Sequence, residues 1–173
     1  MRILTCIAEQ HDLWFVALAA LICTSGALIS MRLYVRTREV ASASRMAWIF
    51  LGAVAAGSTI WCTHFVAMLA YRPGVQVAYD PALTGLSLAV AIVAAGVSLT
   101  VASAKFSFAR EIGGALFGLG VVAMHYTGMA AFSAQALVAW DVAYVAASVV
   151  LSIGFPSGSI AALSRPPQKT RAG

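Results

Sequence analysis

The chain reads as five long apolar runs broken by short polar stretches, at about 13–31, 47–70, 82–104, 112–133 and 142–163. Each run approaches the roughly 20 residues that a helix needs to cross a bilayer. Tryptophan and tyrosine gather near the run ends, at Trp14, Tyr34, Trp48, Tyr71, Tyr79, Trp140 and Tyr144, where amphipathic rings prefer the headgroup layer. Trp61 and Tyr126 lie deeper. The pattern predicts an all-α polytopic membrane helix bundle of about five transmembrane helices. One membrane domain spans 1–163, and a short basic tail occupies 164–173. Gly154, Pro156 and Gly158 interrupt the fifth run, and a proline there removes a helix hydrogen bond and predicts a kink.

Composition narrows this further. Hydrophobic residues make up 61% of the chain and charged residues 10%, with mean hydropathy +0.89. A water-facing domain needs about 25% charged residues, so the bilayer is the expected partner. The net charge of +5 is explained by its placement. Arg32, Arg36, Arg38 and Arg45 follow the first run, Lys105 and Arg110 the third, and Arg165, Lys169 and Arg171 the fifth. The remaining links hold Arg72 beside Asp80 and Asp141. Under the positive-inside rule, loops 32–46 and 105–111 and the C-terminus lie in the cytoplasm, and the N-terminus lies outside. No nucleic-acid partner is implied. Only Arg2 precedes the first run, which predicts a retained helix rather than a cleaved signal peptide. Cys6, Cys23 and Cys62 show no CxxC spacing and read as packing residues.

The runs also repeat. His11-Asp12-Leu13-Trp14 aligns with Tyr79-Asp80-Pro81-Ala82 and with Trp140-Asp141-Val142-Ala143. Each Asp is placed to cap the first turn of a helix. Setting His64 on His125 brings Gly57 onto Gly118 and Gly52 onto Gly113. The unit is a two-helix hairpin that enters at Asp, turns at a basic loop and returns in a His-x-x-x-Met helix. The chain holds two such units and the first helix of a third. Glycines at 52, 57, 113, 114, 118, 120 and 128 allow close backbone approach, which predicts that the second and fourth helices are central.

The chemistry concentrates in that repeated pair. His64 with Met68, and His125 with Met129, stand four residues apart and share a helix face. Met124 adds a sulfur beside His125, and His11 could close a site from above. Both histidines fall at similar depth near the outer ends of their helices. Imidazole suits copper, zinc, iron and nickel, and a thioether favours Cu(I); haem axial ligation uses the same residues. Structural hydrogen bonding between helices in a degenerate membrane protein without ligand and a copper or proton transport path remain open alternatives. The apolar inner halves, such as 47–57 and 112–120, weigh against a transport path. No nucleophile elbow, phosphate-cradling loop or paired carboxylates appear, so no enzyme is expected. Ser58 and Thr127 read as hydroxyls bonded to helix carbonyls.

The string Met124-His125-Tyr126-Thr127-Gly128-Met129, with its relative Trp61-Cys62-Thr63-His64-Phe65-Val66-Ala67-Met68, resembles the MHYT domain of bacterial membrane sensors. The resemblance covers nearly the whole chain. It implies six or seven helices, three motif copies, and copper held near the outer face of the inner membrane to sense oxygen, carbon monoxide or nitric oxide. It also implies coupling to cyclic di-GMP or other signalling outputs. Thr63 stands where the family has methionine and Val66 where threonine or isoleucine is common, and the third copy is expected to lack its returning helix. The reading that follows is a non-enzymatic sensory module with His64, Met68, Met124, His125 and Met129 on copper and haem as the alternative. It would signal through a homo-oligomer or a separate cytoplasmic partner.

Overall fold

The computed structural model of the chain describes residues 11–40, 42–72, 74–134 and 142–163. Cys6, Trp140, Asp141 and the tail with Arg165, Lys169 and Arg171 lie outside the described residues. Among the described residues, five helices are long and apolar enough to cross a membrane. They are α1 (Leu13–Glu39), α2 (Ser42–Ala70), α3 (Pro81–Ala102), α4 (Ala109–Ala131) and α5 (Val142–Leu163). The chain is an all-α multi-pass membrane bundle. α1 continues to Glu39, past the apolar limit at 31, because its arginine-bearing end still closes helical turns and carries an Arg36–Glu39 ion pair at 3.2 Å.

The helix starts follow local chemistry. Asp12 Oδ1 accepts from Trp14 N at 3.0 Å, and Asp80 Oδ1 accepts from Leu83 N at 2.8 Å, each satisfying an orphan first-turn donor. Pro81 follows Asp80 at a position where a missing N–H costs nothing. Each entry is also tied to the helix that returns beside it. Asp12 N donates to Ala70 O at 2.8 Å, and Asp80 N donates to Ala131 O at 2.9 Å. Between the two ties β1 (Val77–Tyr79) pairs antiparallel with β2 (Phe132–Ala134), Tyr79 opposite Phe132. This short ladder gives polar partners to backbone that leaves the helices, where lipid would offer none.

Consecutive helices pack on one another, and α3 lies between α2 and α4. The third helix therefore shares the central place that the glycines predicted for the second and fourth. Its contact with them is small-residue packing, with Ala53, Ala56 and Ala95 buried and Ile92, Leu99 and Phe117 against them. The repeat appears in the contacts themselves. A Cβ on Gly57 would lie 2.7 Å from Ile92 Cα, and one on Gly118 would lie 2.7 Å from Ile153 Cα. Both pairs of positions are related by the same 61-residue offset that separates His64 from His125. Glycine is required at both places because backbone meets backbone.

Candidate functional site

α2 and α4 both run toward the end of the bundle that carries the strand ladder. His64 and His125 each stand about 9 Å, counted along the axis, short of their helix ends. Equal offsets from the tied residues Ala70 and Ala131 put the two rings at one depth. They meet: His64 Nδ1 and His125 Nδ1 are 3.3 Å apart, with ring planes at 77°. One nitrogen must donate and the other accept, so the pair shares one proton at this contact. The other nitrogen of His64, Nε2, is buried and has no hydrogen-bond partner. It faces Gly128, where an added Cβ would come within 2.7 Å. The missing side chain at Gly128 is what gives the His64 ring its place.

Aromatic rings roof the pair. Phe65 lies 5.0 Å from His64, 4.8 Å from Trp61 and 5.9 Å from Tyr79, and Tyr79 continues to Phe132 at 5.6 Å. Burial in this cluster pushes the Tyr79 phenol above its ordinary value. Polar ties hold the outward helices to their neighbours. Trp61 Nε1 donates to Ser87 Oγ at 3.0 Å and to Thr84 O at 3.2 Å. Tyr126 OH and Ser148 Oγ are 3.2 Å apart. Ser87 and Ser148 are again related by the repeat offset, so each serine fixes an aromatic side chain of the preceding helix. Sequence reasoning passed over both; the repeat register was the signal that could have found them.

Beneath the pair lies a largely apolar cavity of about 630 Å³, walled by residues of all five helices, α1 and α5 included. His64, His125 and Met124 line it together, and Met124 is almost fully buried, with 1% of its surface exposed. Met68 and Met129 are half-buried, stand one turn farther along α2 and α4, and do not line this cavity. His11 lies against Tyr71, with ring centroids 5.4 Å apart, and does not line the cavity. Among the described residues no set of three His, Cys, Asp or Glu side chains converges. Among these residues, a metal at the pair would draw on thioethers as well as imidazoles.

The residues present fit a soft ion. Two metal–imidazole bonds of about 2.0–2.1 Å meeting at a tetrahedral angle span about 3.3–3.4 Å between their nitrogens, which is the spacing observed. Met124 supplies a thioether in the same cavity wall, a donor that favours Cu(I). A porphyrin has no room between nitrogens in direct contact. Haem ligation by both histidines would require the rings to separate.

Comparison with known proteins adds to this geometry. A family model, MHYT, described as "Bacterial signalling protein N terminal repeat", matches residues 57–115 and 118–172. The two matches start at Gly57 and Gly118, the glycines equated above. An uncharacterized signaling protein of Caulobacter vibrioides is 44% identical over 163 residues, which cover 94% of this chain and 20% of the relative. The cyclic di-GMP phosphodiesterase NbdA of Pseudomonas aeruginosa is 36% identical over 150 residues, covering 86% of this chain and 19% of the relative. The bifunctional diguanylate cyclase/cyclic di-GMP phosphodiesterase MucR of the same species is 36% identical over 110 residues, 62% of this chain and 16% of the relative. The chain thus spans about a fifth or less of the length of these curated relatives. No solved structure gives a significant match.

Proposed function

The chain belongs to the MHYT family of bacterial signalling proteins, and on that premise we propose that it is a membrane sensory module whose ligand is held at the His64–His125 pair. The observation that carries the reading is the 3.3 Å contact between two imidazoles from equivalent helices of successive repeats. His64, His125 and Met124 would hold copper, with Met68 and Met129 as further thioethers one turn outward. Copper in that setting supplies a soft centre able to take a diatomic gas, O2, CO or NO.

The protein's own part is to place and connect the rings. Gly128 admits His64, and Phe65 packs against the His64 ring with Tyr79 and Phe132 behind it. α2 rests on α1 and α3, and α4 rests on α3 and α5. A change in the spacing of the rings therefore moves the outer halves of α2 and α4 relative to each other across α3. The change would pass to the basic end of the bundle and on to a cytoplasmic signalling partner or a second copy. The proposed setting is the bacterial inner membrane, with the N-terminus periplasmic and the C-terminus cytoplasmic. Cyclic di-GMP turnover, named in two of the relatives, is the proposed output. The role of this chain is sensing, with no catalytic step of its own.

A second reading, a path for copper or protons, draws on one feature. Below the histidines the cavity wall includes Thr59, Ser30, Ser98 and Tyr34. These hydroxyls come largely from α1 and α3 and place polar atoms in an otherwise apolar wall, past the apolar inner halves of α2 and α4. Flux into proteoliposomes separates the two: a sensor gives none above empty vesicles. For the sensory reading, metal content is measured on the purified protein beside a His64→Ala/His125→Ala double variant. Copper near one equivalent in the first and near zero in the second is expected. Equal, near-zero metal in both would end the copper reading, and a strong visible absorption band would replace it with haem.

A further inference from the structure

The opposite end of the bundle carries a second concavity, unrelated to the histidines. It measures about 630 Å³ and lies where the end of α1, the start of α2 and the α3–α4 link converge. Arg38, Arg45, Lys105 and Arg110 line it, against a single carboxylate among the described residues, Glu111. Arg45 sits half-buried in the wall, its Nη2 donating to the carbonyl of Ser103. That bond fixes the guanidinium plane, yet Arg45 Nε is buried and has no partner. A buried donor on a cation is costly to leave unpaired. Arg45 lines the pocket, and a turn of its side chain would bring that donor to an acceptor oxygen of a ligand. α4 also begins here without a side-chain cap, so the positive end of its dipole faces the same space.

A solvated basic patch would account for the charges but not for the concavity or the orphaned Nε. We propose that this pocket binds the phosphate of an anionic phospholipid, with Arg45 at its centre and Lys105 and Arg38 at its rim. Two features select a lipid over a free anion. The pocket sits where the apolar spans end, at headgroup level. Its rim also alternates charge with exposed rings, Lys105 followed by Phe106 and Phe108, which are 49% and 67% exposed. Rings of that exposure beside a cation are placed to enter the interface next to an acyl chain. The site would tie the packing of α1, α2 and α4 to the charge of the surrounding leaflet.

The test is native mass spectrometry of the full chain, released from mixed micelles holding phosphatidylglycerol and phosphatidylcholine. Retained phosphatidylglycerol should exceed phosphatidylcholine, and Arg45→Gln should cut that preference by about 10-fold, the weight of one charge-assisted contact. Arg32→Gln, an exposed cation of α1 outside the pocket, should leave it unchanged. Arg38→Gln/Lys105→Gln keeps the Ser103 bond and should lower retention as well, which separates ligand loss from misfolding. Equal retention by the native protein, Arg45→Gln and Arg38→Gln/Lys105→Gln would overturn the proposal. Inorganic phosphate that displaces phosphatidylglycerol at stoichiometric levels would overturn the lipid assignment in favour of a soluble phosphate.

Discussion

Replacing Gly128 with alanine adds one methyl group at the point where the histidine pair is tightest. The new Cβ would stand 2.7 Å from His64 Nε2 and 3.1 Å from Cδ2. Ordinary van der Waals contact begins near 3.4 Å, so the ring must retreat by about 0.7 Å. The Nε2–Cδ2 edge that meets the new methyl lies opposite Nδ1 in the ring, so the retreat displaces Nδ1 from its 3.3 Å contact with His125 Nδ1 and spoils the geometry of that hydrogen bond. Losing that bond costs about 0.5–1.5 kcal/mol. Alanine in place of glycine inside a helix returns about 1 kcal/mol. The fold should therefore persist with nearly native stability while the two rings lose their register, and copper affinity should fall by about 10–100-fold, as it does when the support of a metal-bound histidine is disturbed. Gly85→Ala on α3 is the control, since nothing lies within 4 Å of its added Cβ. The assay is competition for Cu(I) with a chromophoric chelator in detergent, run beside thermal unfolding of the metal-free proteins. If Gly128→Ala holds copper as tightly as the native chain, the His64–His125 contact is not the binding site and the geometric argument fails.

Three further outcomes follow from the packing. Gly57→Ala and Gly118→Ala should each destabilise the bundle by about 1–3 kcal/mol, because both press a methyl onto the backbone of the next helix; unequal losses, read by thermal unfolding, would contradict the repeat equivalence. Trp61→Phe should cost about 1 kcal/mol by removing the donor to Ser87 and Thr84, and Ser87→Ala should add less in its presence than alone, as a double-mutant cycle would show. Burial raises the Tyr79 phenol above its ordinary pKa of 10.0, so the folded state holds that proton longer than the unfolded chain. Stability from Tyr79 is then complete below pH 10 and declines as pH climbs through the raised value; Tyr79→Phe should flatten the alkaline limb, and an unchanged limb would refute the assignment.

Much of this was legible in the sequence because membrane spans and repeats leave strong signals. Apolar runs, Asp12 and Asp80 as caps, and the match of His64 to His125 all follow from local pattern, and equal register on neighbouring helices carries directly into equal depth. Other features depend on which helices become neighbours, and that is not a local property. The ladder of Val77–Tyr79 with Phe132–Ala134 is too short to show strand periodicity, and it forms because the tied ends of two repeats are brought together. Ser87 and Ser148 look like ordinary helix serines until an aromatic from the preceding helix reaches them. The central place of α3 was hidden because its packing uses Ala91 and Ala95 rather than glycine, and alanine is unremarkable in a membrane helix. Met68 and Met129 shared a helix face with their histidines by spacing, but the cavity opens toward the other side, where Met124 stands.

The register of the two outward helices has a bearing on how such a receptor could arise. A lone copy of the unit presents one imidazole, and one imidazole grips a soft ion weakly. Joining two copies head to tail brings a second ring edge to face with the first at the same depth. Gene doubling would then bring the two imidazoles together in one step.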